Sequence, residues 1–100
     1  MKLAIVLHLE AKPDKAHILA ELLTGARALA IEEKATRTWY AWRTGPHSFG
    51  IFDTFADQAG RDAHLAGDIA KALFARADEL LAEPPTVVKP EIVAATARHR

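Results

Sequence analysis

The chain predicts an α+β fold of the ferredoxin-like kind, β-α-β-β-α-β with an antiparallel sheet. Three observations carry this. Residues 3–9, 36–43 and 47–55 have the alternation or the β-branched and aromatic content of strands. Two alanine- and leucine-rich stretches repeat apolar residues at helical spacing. The order of these elements within 100 residues fits a split β-α-β arrangement of one domain, spanning residues 1–100, with both helices on one face.

The first strand sets Leu3, Ile5, Leu7 and Leu9 against Ala4, Val6 and His8, as a half-buried strand does. Lys12-Pro13-Asp14 ends it and starts a helix, because proline is tolerated in a first helical turn. Leu19, Leu22, Leu23, Ala26, Leu29 and Ala30 form the apolar stripe of that helix, and Glu32-Glu33-Lys34 closes it. TRTWYAWR and HSFGIFDTF, joined through Thr44-Gly45-Pro46, predict a hairpin. Asp57 is the N-cap expected for a short helix running to about Ala66, where Gly67 interrupts. Asp68 is then expected to cap a second piece with the stripe Ile69, Leu73, Ala77, Leu80 and Leu81, ended by Glu83-Pro84-Pro85. Residues 86–96 predict a last strand, and Pro90 within it predicts an edge or a bulge, since proline removes a ladder donor.

The strands are apolar on both faces: Tyr40 and Trp42 share one side of their strand and Trp39 takes the other. Helices on one side cannot bury both, so two copies packed sheet to sheet, a homodimer, are expected. Thirteen basic and thirteen acidic residues balance to zero net charge, which argues against a nucleic-acid partner. The one basic cluster, Ala97-Arg98-His99-Arg100, is expected to be a frayed end. With no cysteine there is no disulfide, thiolate metal site or cysteine nucleophile. The first apolar run is too short for a membrane span and has no cleavage-site pattern, so a cytoplasmic protein is expected.

Several motifs resemble the antibiotic biosynthesis monooxygenase family in its quinol-monooxygenase-like branch. They are Lys12-Pro13, the Trp42–Pro46 turn WRTGP, FGIFDTF at residues 49–55, AGRDAHL at residues 59–65 and ELLA at residues 79–82. The resemblance implies a dimeric α+β barrel with a pocket between sheet and helices in each subunit. It further implies a cofactor-free, metal-free monooxygenase whose substrates are a small aromatic quinol or phenol and molecular oxygen. Triplet oxygen reacts poorly with closed-shell molecules, but a deprotonated hydroquinone can give it an electron directly. The protein then has to take a proton, hold the anion and exclude water.

His64 matches the helix histidine of the family and is the candidate base; the plainer alternative is a residue that caps a strand carbonyl or faces water. Gly60 and Gly67 flank it and would admit a ligand. Arg43 is the second catalytic candidate, holding a phenolate, against a surface ion pair with Asp53. Trp42, Tyr40, Phe52 and Phe74 are candidate substrate-stacking residues or plain core, and His8 points to the pocket or the dimer seam. Trp42 or Tyr40 is expected to touch His64. His17 and His47 are expected to face solvent. The family's other members imply two alternatives: a non-catalytic ligand-binding protein, and a haem-binding one with His64 as axial ligand. The chain has no asparagine, so mechanisms that use a pocket asparagine do not carry over.

Overall fold

The computed structural model describes residues 2–96; the basic cluster at residues 97–100 lies outside them. The elements are β1 (Leu3–Glu10), α1 (Ala16–Glu32), β2 (Thr36–Arg43), β3 (Ser48–Phe55), α2 (Gln58–Leu65), α3 (Asp68–Ala75), α4 (Ala77–Leu80) and β4 (Thr86–Val88). They form one four-stranded sheet in the order β2-β3-β1-β4, every pairing antiparallel. This is the ferredoxin-like α+β arrangement expected from the element order.

Register decides which residues share a face. Leu7 pairs with Ile51 and Leu9 with Phe49, so these four stand on one side. There they meet Leu19 and Leu23 of α1, Leu73 of α3 and Leu80 of α4 in the main core. Counting by twos puts Trp39, Ala41 and Arg43 of β2 and Asp53 and Phe55 of β3 on the same side. The opposite face carries two rows across all four strands: Tyr40–Phe52–Val6–Val88 and Trp42–Gly50–His8–Thr86. Among the described residues no helix covers those rows, and Tyr40 and Val88 are 59% and 51% exposed.

Four details differ from the sequence reading. The α1 helix begins at Ala16 and not at Pro13: the preceding residues make a turn, Lys15 N–H donating to Lys12 O. Leu29 is 40% exposed, because the predicted stripe is wider than the strip of α1 that meets the sheet. Asp57 caps α2 as expected, accepting from Gly60 N–H at 2.9 Å, but Asp68 lies inside the first turn of α3 and Gly67 is its N-cap. Finally, β4 has three residues and not eleven. Pro90 has no N–H to give, although its carbonyl still accepts from Ala4 N–H and a lone bridge joins Leu3 to Glu91 beyond it. Among the described residues, no helix is long and apolar enough to cross a membrane.

Candidate functional site

Two features of the helix-covered side carry polar chemistry, and they are separate. The first is a buried charge cluster. Asp53, 1% exposed, points under α2 from the row that also holds Trp39 and Ile5. His64, 8% exposed, reaches it from α2, with Nε2 2.8 Å from Asp53 Oδ2. On its other side Nδ1 lies 2.5 Å from Oε1 of Glu33, the residue that caps the C-terminus of α1. Thr36 donates its hydroxyl to the same Glu33 oxygen at 2.8 Å, and the Phe55 ring packs 5.3 Å from the imidazole. Burial pushes the His64 pKa down, but contacts with Asp53 and Glu33 outweigh it, so the net shift is upward. A raised pKa with both nitrogens held favours the imidazolium, which bridges two carboxylates.

The glycines beside His64 serve this packing. A Cβ on Gly60 would meet the Ala35 side chain at 3.3 Å, and one on Gly67 would meet Glu33 Oε2 at 3.2 Å. Both let the loop after α1 close onto α2, and a depression of about 280 Å³ lined by Glu33, Thr36, Gly60, His64 and Gly67 lies at this junction.

The second feature is a cleft of about 430 Å³ between α1 and β2. Ala20, Leu23, Thr24 and Arg27 face it from the helix, at the three- and four-residue spacing of one helical side. Trp39, Ala41, Arg43 and Phe49 supply the sheet side. The cleft exists because Ala41 is small and α1 leaves it exposed. Arg43 stands over the Phe49 ring at 5.0 Å, its Nε and Nη2 donating to the carbonyls of Gly45 and Pro46 at 3.1 and 2.7 Å. Trp39 closes the inner wall, and its indole N–H is buried without a hydrogen-bond partner among the described residues.

The structure therefore divides the expected site. Arg43 lines the cleft, and it does not pair with Asp53, whose carboxylate is taken by His64. Tyr40 and Trp42 border the cleft, but their side of β2 is the uncovered face, where the Trp42 indole lies over Gly50. The expected contact of either residue with His64 is not made, because the sheet stands between them. Phe52 and His8 lie on the uncovered face as well, and Phe74 is exposed on α3 and lines neither the cleft nor the charge cluster. His17 is exposed, whereas His47 is half-buried. The sequence reading missed Arg27, Thr24 and Trp39 as cleft residues and Glu33 and Asp53 as partners of His64. The spacing Ala20, Leu23/Thr24, Arg27 was the signal available for the first group; nothing local signals the second.

No family model matches the chain, and no curated protein does. Among solved structures, the NE2512 protein of unknown function from Nitrosomonas europaea is 48% identical, with a TM-score of 0.94 over 99% of this chain and 96% of that one. The chain belongs to the family of that protein. At greater distance, the family's fold is shared with Rv0793 from Mycobacterium tuberculosis, 17% identical with a TM-score of 0.86 over 97% of this chain and 100% of that one. A putative antibiotic biosynthesis monooxygenase from Nitrosomonas europaea has it too, 15% identical with a TM-score of 0.83 over 92% and 99% of the two chains. The fold expected from the motif resemblance is thus shared with structures named as putative antibiotic biosynthesis monooxygenases.

Proposed function

We propose that the protein binds a small aromatic quinol or phenol in the α1–β2 cleft and oxidises it with molecular oxygen, working as a homodimer. The observation that carries this reading is the cleft itself. Its volume of about 430 Å³ falls in the range of small-molecule sites, roughly 300–1,000 Å³. Leu23, Trp39 and Phe49 give the ring apolar walls, and Arg43, fixed by two backbone carbonyls, offers its guanidinium to a phenolate. Likeness of fold to a putative antibiotic biosynthesis monooxygenase from Nitrosomonas europaea supports the reaction class.

A cation beside the phenolic oxygen favours the anion, and its proton passes to solvent at the open mouth. The electron-rich ring then gives up electrons to oxygen without an intermediary. A hydroquinone that loses two electrons and two protons becomes a quinone, and oxygen becomes hydrogen peroxide. Where oxygen is inserted at a ring C–H of the hydroquinone, one atom stays on the ring and the other leaves as water, giving a hydroxyquinone. In this reading His64 is a positioning residue, tying α2 and the end of α1 to the sheet, because neither nitrogen is free to take a proton from the cleft. Ligation of haem iron by His64 would require one of the same two contacts to break.

Oxygen uptake with a panel of hydroquinones tests the proposal. Uptake above the uncatalysed rate is expected, falling by about tenfold or more when Ala41→Phe fills the cleft floor, the loss of bound geometry being costly. Binding without uptake would overturn catalysis in favour of the ligand-sequestering alternative.

A further inference from the structure

The cleft has a charge that its sequence neighbours do not balance. Arg27 and Arg43 both line it, and no aspartate or glutamate does. A second, more polar depression of about 290 Å³ continues along the same seam between α1 and β2, sharing Arg27 and Trp39 and adding Arg37, Thr36 and Thr38, again with no carboxylate. Among the described residues the ion pairs are His8–Glu10, His64–Glu33, His64–Asp53 and Arg76–Glu79, so none of the three arginines is neutralised by an acid. In a chain with equal numbers of acidic and basic residues, three unpaired guanidiniums along one seam are a local excess, not a reflection of net charge. Arg43 is already tied to two carbonyls, whereas Arg27 sits where the apolar cleft meets the polar depression.

We infer that the ligand of this cleft is an aromatic acid: a ring held between Leu23, Trp39 and Phe49, with a carboxylate directed to Arg27 at the junction of the two depressions. The inference rests on the cleft being the ligand site, as proposed above, and narrows the substrate class from quinols in general to those bearing an anionic substituent. A guanidinium suits a carboxylate because its planar fork gives two parallel N–H donors to the two oxygens. Arg37 adds to the attraction from the polar end, and Arg43 remains available to the ring hydroxyl.

Both tryptophans of the chain border the cleft, so their fluorescence reports on its occupancy. The test titrates the wild-type protein with hydroquinone and with dihydroxybenzoate, the same ring carrying one carboxylate. Dihydroxybenzoate is expected to bind about tenfold more tightly at low salt, the scale of one charge-assisted hydrogen-bonded contact. That advantage should shrink as salt screens the exposed arginines. Arg27→Gln should bring the two affinities within about threefold of one another, while Arg76→Gln, which removes an arginine paired with Glu79 on the exposed side of α4, should keep the wild-type preference. Equal affinities in the wild type, or the same effect from both substitutions, would overturn the inference and leave a cleft for neutral quinols standing. Failure of both compounds to bind would overturn the cleft reading and the inference with it.

Discussion

His64 sits between two carboxylates, and they decide what it can do. Its pKa is raised in the folded protein, so its proton is held more tightly there than in the unfolded chain, where a histidine titrates near about 6.5. The stabilisation from that proton is therefore complete below the unfolded value and is lost as pH rises through the folded one. The stability difference between wild type and His64→Gln should accordingly shrink as pH rises above the unfolded value and through the higher folded one, which urea unfolding across pH would show. A difference that grew with pH would contradict an imidazolium bridge. At neutral pH the loss should be large, about 3–5 kcal/mol, since Asp53 would be left buried with no positive partner. Sequence alone marked His64 as unusual. What it could not mark were Glu33 and Asp53, which stand 31 and 11 residues away and become neighbours only through the sheet register and the end of α1.

At the scale of elements, the hairpin was legible because its residue types and its turn agree: β2 and β3 run where TRTWYAWR and HSFGIFDTF put them. Their mutual fit is finer than the pattern. A Cβ added to Gly50 would fall within the Trp42 indole, so this glycine is the seat of that ring on the uncovered face. Gly50→Ala should displace Trp42, altering near-ultraviolet dichroism and costing about 1–3 kcal/mol, the usual range for overpacking. An unchanged spectrum would mean that the indole does not rest there. The helix ends show the opposite lesson. Asp57 and Asp68 look alike as caps in sequence, yet only Asp57 caps with its side chain, because Gly67 turns the chain one residue before Asp68.

At the scale of the whole fold, helices cover one face of the sheet and, among the described residues, none covers the other. Tyr40, Phe52, Val6 and Val88 form an unbroken row across it, with Trp42 in the row beside. A stable monomer seldom exposes such a patch, and a second copy with the same two-sided strands is the partner that the pattern suits. Light scattering at micromolar concentration should give the mass of a dimer, and Tyr40→Lys should shift it to a monomer. A wild-type monomer would remove the homodimer from the proposed function. The short β4 bears on this too: with its N–H missing at Pro90, the outer edge offers little continuous ladder, so face-to-face packing is favoured over edge-to-edge growth.

Alternation, helical spacing and turn residues determined the element order, the ferredoxin-like arrangement and the two-sided character of the strands, because each is a local property of neighbouring residues. The last strand was overextended since residues 86–96 read as strand throughout, while only a partner strand decides where pairing stops. The tertiary structure decided the site. It set His64 against Glu33 and Asp53, put Trp42 and Tyr40 across the sheet from that histidine, and opened the Arg27–Arg43 cleft where a small residue, Ala41, faces a helix. Those are contacts between residues far apart in the chain, and the side of the sheet on which each falls depends on a register that no single segment contains.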